Sequence, residues 1–307
     1  MKIKFAFLII TISALASVAF AQAVKVTPLK TVYQRAVKKD FAHKKTFVIT
    51  RPKVSGLSAI LNRKIEKAIS FERVFDFNLK EEQTEIFWLA EAGYKTEFNR
   101  DGILAVALTM DGSGAYPSIY TKHVVVDVKT GLPVKPEDVF SASKTVELVR
   151  QLNERLQEAM KLAISEAKKD SAEDGAMVTE MLAEKKFETE HLSHFTASEK
   201  GVTFYYDYGF PHVALALEPN GEFFLSYADL KSFIRPDGLL GKFVRYYTEA
   251  YERKKNQSSR RQAGTRRTRP RRESYRPRFA RCRNGSYLHG FAANAGNDCV
   301  RCFAGRR

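Results

Sequence analysis

The chain has 307 residues, of which 44% are hydrophobic, and it carries a formal net charge of +16. This length buries an ample core, so the fold does not need disulfide staples. Residues 253–307 hold 17 Lys and Arg against two acidic residues, a net charge of +15, so residues 1–252 are nearly neutral. The basic character therefore belongs to a C-terminal tail, and the remainder of the chain is an electrically balanced body.

Residues 1–21 have the organisation of a cleavable signal peptide. Two lysines among the first four residues precede an uncharged run from Phe5 to Phe20, and Ala19 and Ala21 supply the small residues that a signal peptidase requires. The run falls short of the roughly 20 strongly apolar residues of a membrane span, although an uncleaved anchor is the alternative. We expect cleavage after Ala21 and an exported protein, periplasmic or secreted, whose mature chain has no transmembrane anchor.

Residues 22–44 are polar and basic and are expected to form a lead-in to a domain at 45–250. A β-type run at 46–50 is expected to end at Arg51-Pro52, because proline removes a backbone donor. Apolar residues at helical spacing between Leu57 and Ile69 then predict an amphipathic helix.

The central part of the body predicts an antiparallel meander of three strands, at 90–98, 103–110 and 118–128. In the first strand, alternation of apolar and polar residues places Ala92, Tyr94 and Phe98 on one face. Asn99 to Gly102 is a turn signal. Further elements are expected in this order: helices at 146–167 and 177–182, strands at 201–208 and 222–227, and a short helix at 228–234. The pattern predicts one α+β domain, an antiparallel β-meander packed against helices.

The stretch from Phe204 to His212 is unusually aromatic. Alternate residues of a strand face opposite sides, so the core can take only part of this set, and the others would lie near a loop shaped by Gly209 and Pro211. Exposed aromatic rings stack on sugars and anchor protein interfaces, while burial of a second face under a helix is the alternative. The candidate binding residues are Tyr116, Tyr205, Tyr206, Tyr208, Phe210 and His212.

No catalytic residue, cofactor or metal site is predicted, because the G-x-S-x-G, P-loop and H-E-x-x-H patterns do not occur. His191 and His194 have a spacing that can serve a metal, but no third ligand is evident, and ordinary surface histidines are favoured. An envelope hydrolase or deacetylase with an unrecognised site is the alternative to a binding protein. A histidine–carboxylate cluster in one pocket would favour the enzyme, and a shallow aromatic surface would favour the binder.

The tail, residues 251–307, is expected to be disordered. From residue 253 onward its bases are 15 Arg and 2 Lys, and the planar arginine fork suits phosphate and carboxylate. We expect it to bind anionic polymers or lipid headgroups of the envelope. Nucleic acid is chemically suitable, but it is a less accessible partner for an exported chain.

All three cysteines, Cys282, Cys299 and Cys302, lie in the tail. Cys299 and Cys302 form a C-x-x-C pair, for which a disulfide is favoured in an oxidising compartment. A zinc site of the three cysteines with His289 is one alternative. An adventitious tail that arose from a shift of reading frame is another.

Several short motifs occur in a characteristic order: 52–57, 112–117, 126–131 with 138–140, and 201–206 with 225–230. In this order, over about residues 45–235, the body resembles a bacterial extracytoplasmic domain of unknown function. That domain forms the ectodomain of RsiV-type anti-sigma factors and occurs beside the catalytic domain of some peptidoglycan deacetylases. The resemblance implies a sensing or binding domain that faces the cell envelope, with lysozyme or a peptidoglycan-related glycan as its class of partner, and it does not imply catalysis. We therefore expect a non-enzymatic binding protein of the envelope.

Overall fold

The computed structural model describes residues 23–36, 44–247 and 249. The predicted signal peptide, the arginine-rich tail and the Cys299–Cys302 disulfide lie outside these residues. None of the helices in the described ranges has the length and apolar composition needed to cross a bilayer.

The larger of two sheets has six strands. In order across the sheet they are β1 (Lys25–Gln34), β2 (Thr46–Ser55), β3 (Leu89–Arg100), β4 (Ile103–Ser113), β5 (Pro117–Asp127) and β6 (Leu132–Pro133). Neighbouring strands are antiparallel, except that β2 and β3 pair in parallel through a short contact at Val48 and Ile49. The predicted meander is confirmed as β3–β4–β5. Asp101 and Gly102 form its first turn with positive φ angles of 58° and 78°, a conformation that these residue types tolerate.

Helices occupy the connections on both sides of the meander. Between β2 and β3 lie α1 (Ala59–Ala68), α2 (Phe71–Val74), α3 (Leu79–Glu81) and a π-helical turn (Glu82–Ile86). After β6 come α4 (Pro136–Val139), the long α5 (Thr145–Asp170) and α6 (Ala172–Leu182). The second sheet is antiparallel and contains β7 (Phe195–Ala197), β8 (Gly201–Tyr205) and β9 (Glu222–Ser226). The predicted α+β class is therefore confirmed.

The six-stranded sheet separates two hydrophobic cores. On one side, Leu104 and Val106 of β4 pack with α1 and α2 in an N-terminal core. On the other side, Ile103 and Ala105 pack with α5, α6 and the second sheet in a C-terminal core. Because β4 is covered on both faces, it is an almost continuous apolar run, and complete burial of each large side chain contributes roughly 1.5–3 kcal/mol.

The ordered domain begins earlier than the sequence pattern predicts. Residues 25–34 of the expected lead-in form β1, which pairs with β2 over its whole length. β1 is an edge strand with mostly exposed side chains, so it lacks the apolar alternation by which strands are recognised. The predicted end of β2 at Pro52 is also wrong. Pro52 lies opposite Pro28, which fits a ladder position where neither residue donates to its partner.

A β-bulge between Thr96 and Phe98 corrects the predicted face of β3. Ala92 and Tyr94 pack on the N-terminal core, as one face, but Phe98 belongs to the C-terminal core. The extra residue of the bulge shifts the side-chain alternation by one position. As a result Glu97 points toward the second sheet, where Thr196 hydrogen-bonds to it.

Two predictions for the C-terminal part also need correction. β8 ends at Tyr205 and does not extend to residue 208. Residues 228–234 form hydrogen-bonded turns instead of a helix, and Ile234 makes an isolated β-bridge with Phe140. Apolar spacing in this segment reflects packing on the C-terminal core and not helical periodicity.

Candidate binding surface

The β4–β5 hairpin is positioned by Trp88. The amide of Ser113 donates to the Trp88 carbonyl at 2.9 Å. A Cβ atom at Gly112 would lie 2.5 Å from the Trp88 carbonyl oxygen and 2.6 Å from the indole ring, so only glycine allows this close approach. The indole in turn lies 5.5 Å from the ring of Tyr120, which is 56% exposed. Trp88 thus supports an exposed tyrosine from beneath the hairpin.

Tyr116, at the tip of the same hairpin, is held from the other side by His212. The two rings stack with centroids 4.6 Å apart and an interplanar angle of 18°. Tyr116 is still 56% exposed, and neighbouring Ile119 is 67% exposed. His212 opens the 3₁₀ turn His212–Leu217, which Pro211 introduces. Two of the six candidate residues therefore come together although they are distant in sequence.

We use the term hairpin surface for Trp88, Tyr116, Ile119, Tyr120 and His212. Ile119 and Tyr120 are consecutive strand residues and point to opposite faces of the sheet, so the surface wraps around the outer edge of β5. Exposed, mutually supported aromatic rings of this kind provide large contact area at a low cost in side-chain entropy. The arrangement is suited to binding a glycan or a protein.

Tyr205, another candidate residue, lies in a polar cluster between the two sheets. Its ring stacks on His123 at 3.7 Å with an interplanar angle of 7°. His123 donates through Nδ1 to Glu97 Oε2 at 3.0 Å, and Thr196 Oγ1 donates to the same oxygen at 2.7 Å. Burial opposes the charge on Glu97, but the two hydrogen bonds together with the charges of His123 and Lys95 outweigh it and hold the pKa of the carboxyl below its ordinary value. Burial, together with the Glu97 charge, raises the pKa of Tyr205.

The Glu97–His123 pair is the feature that would favour an enzyme, so its surroundings matter. His123 borders a groove of about 300 Å³, and Ser193 lines the same groove. The Ser193 hydroxyl donates to the Glu190 carbonyl at 2.7 Å and not to His123. Across the described ranges, no group of three or more His, Cys, Asp and Glu could hold a metal ion. The pair fixes the orientation of an imidazole between two sheets, and the hydroxyl that is hydrogen-bonded to it belongs to the buried Thr196.

The other three candidate residues lie in the C-terminal core. Tyr206, Tyr208 and Phe210 are buried, and the rings of Tyr206 and Tyr208 meet edge to face at 4.9 Å. The chain leaves β8 after Tyr205 and turns at Gly209, where φ is 68°, so the strand alternation that would have exposed part of this set does not apply. Burial raises the pKa of Tyr208 to about 12. These three rings consequently do not contribute to an exposed surface.

The two neighbouring histidines have separate structural roles. His191 accepts the Glu188 amide through Nδ1 at 2.8 Å and caps a 3₁₀ turn. His194 is an exposed residue by its accessible surface, but partial desolvation lowers the pKa of its imidazole.

The sequence-based selection of candidate residues did not include three members of the hairpin surface, namely Trp88, Ile119 and Tyr120. Trp88 is the only tryptophan of the chain and precedes a predicted strand, while Ile119 and Tyr120 lie inside one. The signal in the sequence was that large side chains occur on both faces of the strand that became β5, although the neighbouring elements bury only part of each face. Recognising it requires knowledge that β5 lies near the edge of the sheet.

Comparison with known proteins finds matches among solved structures. No protein-family model and no curated protein match the chain. A member of the DUF3298 family from Bacteroides fragilis is 14% identical, covers 73% of this chain and 98% of its own, and has a TM-score of 0.47. A DUF3298 family protein from Pseudomonas aeruginosa is 12% identical, covers 70% of this chain and 96% of its own, and has a TM-score of 0.45. The similarity to anti-sigma factor ectodomains stays a prediction from the sequence motifs.

Proposed function

We propose that this protein is an exported, non-enzymatic binding protein of the bacterial cell envelope that contacts its ligand through the hairpin surface. The observation that carries this proposal is the exposure of Tyr116, Ile119 and Tyr120 on one hairpin. Two of these side chains are buttressed by ring contacts, to His212 and Trp88. Large apolar side chains that are held in place yet left exposed are typical of interaction sites.

Export is supported by the signal-peptide organisation of residues 1–21. Lysozyme and peptidoglycan-related glycan are the partner classes implied by the motif resemblance. Both suit an aromatic surface, because tyrosine rings stack on sugar faces and also anchor protein interfaces. N-terminal sequencing of the exported protein should give Gln22, and a sequence that begins at Met1 would convert the segment into an anchor.

The arginine-rich tail supplies a second, less specific attachment. Its net charge of +15 favours anionic polymers or lipid headgroups, and such binding gains affinity from the release of counterions. Attachment through the tail should therefore weaken steeply with added salt. Recognition by aromatic rings should depend much less on salt, because apolar burial is not screened.

The binding experiment separates these two contributions. Affinity for isolated peptidoglycan and for lysozyme is measured over a salt series with the full chain, with Tyr116→Ala and Tyr120→Ala, and with a chain truncated after residue 252. Tyr246→Ala is the matched control, because Tyr246 is an exposed tyrosine outside the hairpin surface. We expect the two hairpin variants to lose about tenfold or more in affinity for one ligand, which corresponds to roughly 1.4 kcal/mol.

The control variant should bind like the unmodified protein, and the truncation should remove the salt-dependent part of the affinity. Equal binding by Tyr116→Ala, Tyr120→Ala and Tyr246→Ala would overturn the proposed surface. An unchanged salt slope after truncation would overturn the role of the tail.

A further inference from the structure

Among the described residues, the outer edge of β5 has a strand partner only at one end. β6 pairs with β5 at Val126 and Asp127, and the Val134 amide donates to the Val125 carbonyl at 2.8 Å. Backbone groups of alternate residues face the same side of a strand, so Ile119, Thr121 and His123 face outward together with Val125. Within the part of the chain that the structure describes, no backbone group pairs with these three residues.

A groove begins where β6 stops. Its volume is about 300 Å³, and its floor is the β5 segment His123–Val125. Pro133 at the end of β6 and the following residue, Val134, close one end of the groove. The remaining lining comes from the α1–α2 region and from the start of the second sheet, namely Ala68, Arg73, Val74, Ser193 and Phe195. A strand that continued the line of β6 would run along this groove and then past the hairpin surface.

We infer that the free edge of β5 accepts an extended segment of a partner polypeptide, which adds to the sheet as a further strand. This inference rests on the proposed function, because Ile119 and Tyr120 of the hairpin surface flank the same edge. Unpaired N–H and C=O groups recur along the edge at every second residue, a spacing that the backbone of another strand reproduces. Main-chain pairing would supply affinity, and alternate side chains of the partner would contact Ile119 and the groove.

The charges around the edge indicate the chemistry of the segment. Arg73 is the exposed charged residue of the groove lining, and Lys122 projects beside it, with Nζ donating to the Val74 carbonyl at 3.1 Å. Both bases favour a partner strand with an acidic residue next to apolar ones. The same charges disfavour two other occupants. The chain's own tail carries +15, and a second copy of β5 would bring two Lys122 side chains together.

The first test uses a synthetic probe with the full chain. The probe is a short peptide of alternating valine and threonine with an aspartate at each end, and the control peptide carries lysine in place of aspartate. Amide hydrogen exchange is followed residue by residue. In the free protein, Ile119, Thr121 and His123 should exchange faster than Tyr120 and Lys122, whose amides face β4. The acidic probe should slow exchange of the first three by about tenfold or more.

Three results would overturn the inference: protection without this alternation, equal protection by the lysine peptide, or slow exchange of the three amides in the free protein. If the three amides exchange slowly in the free protein, analytical ultracentrifugation shows whether the protein is a dimer in which a second copy covers the edge.

The second test uses a variant of the edge. Thr121→Pro removes an outward N–H and keeps the backbone pairing with β4, and it loses only the side-chain hydrogen bond to Thr109 Oγ1 at 3.2 Å, which Thr121→Val loses as well. It should therefore fold and lose about tenfold or more in affinity for the acidic probe. Thr121→Val keeps the amide and should bind the probe normally. If circular dichroism shows that Thr121→Pro does not fold, Ile119→Pro serves instead, with Ile119→Val as its matched control, because Ile119 also belongs to the hairpin surface. Unchanged binding of the probe by the folded proline variant would overturn the inference.

Binding to envelope material separates this inference from the proposed function. Loss of that binding in Tyr116→Ala together with full retention in Thr121→Pro would overturn the strand addition and leave the hairpin surface standing. Loss in both variants supports the strand addition, and retention in both overturns both proposals.

Discussion

Arg35 is buried at the end of β1 and provides the most direct test of how this fold is held together. Its guanidinium forms an ion pair with Glu82, and the two side chains are each 2% exposed. The same group donates to the carbonyls of Lys44, Thr46, Glu82 and Leu89 and lies over the ring of Phe47 at 4.5 Å. One side chain thus connects the β1–β2 hairpin to the π-helical turn and to the start of β3.

The substitution Arg35→Met removes the charge and the donors while keeping most of the volume. Loss of one partner from a buried ion pair costs about 3–5 kcal/mol, because the remaining charge stays buried without compensation. Glu82 still accepts the Leu89 amide at 2.9 Å, which favours the lower end of this range. A loss of about 3 kcal/mol is a large fraction of a typical domain stability of about 5–15 kcal/mol. For a domain of this size it should lower the melting temperature by about 6–12 °C.

Urea unfolding followed by the fluorescence of Trp88, the only tryptophan, measures this loss. Arg150→Met is the control, because Arg150 pairs with Glu147 and Glu154 on the exposed face of α5, and its unfolding midpoint should not change measurably. The double variant Arg35→Met with Glu82→Gln should recover part of the loss, since the neutral amide removes the uncompensated charge and still offers an acceptor to the Leu89 amide. A wild-type midpoint for Arg35→Met, or no recovery in the double variant, would refute this reasoning.

Three further predictions concern single positions. Partial desolvation lowers the pKa of the His194 imidazole below its ordinary value of 6.5, so the unfolded chain binds this proton more readily than the folded chain does. The free energy of unfolding should therefore fall as the pH drops below about 6.5. In His194→Gln, the urea midpoint of unfolding should change less between pH 7 and pH 5 than it does in the unmodified protein. Gly201→Ala should lower the free energy of unfolding by about 1–3 kcal/mol, because its Cβ would lie 2.1 Å from a carbonyl oxygen of β9. Gly93→Ala is the control, since a Cβ there would meet no atom within 4 Å, and thermal melting should show almost no change. Gly112→Ala should displace Trp88, which a shift in its fluorescence and weaker binding to envelope material would reveal.

The sequence predicts the meander well because its signals are local. The Asp101-Gly102 turn and the apolar run of β4 each depend on only a few neighbouring residues. The edge strand β1 and the bulge at Thr96–Phe98 were missed for the opposite reason. An edge strand needs no apolar face, and a bulge is set by the register with a partner strand, which a single strand's pattern does not encode.

The candidate site was predictable to about the same extent. Tyr116 and His212 were selected from the sequence, and the fold brings them together. Tyr208 and Phe210 were selected for the same reason but are buried, because the chain leaves the strand before them. The partner of Tyr205 was not predictable, since His123 reaches it only through the meeting of two separate sheets.

The double coverage of β4 has a consequence for the order in which the protein folds. Leu104 and Val106 face one core, and Ile103 and Ala105 face the other, so neither core can close before this strand is in place. The β3–β4 hairpin is closed by a short turn and loses little entropy on forming, which makes it the natural nucleus. We expect Val106→Ala to slow refolding more than it speeds unfolding in stopped-flow measurements, whereas Val178→Ala in α6 should mainly speed unfolding. The N-terminal and C-terminal cores would then form independently of each other, on opposite faces of one hairpin.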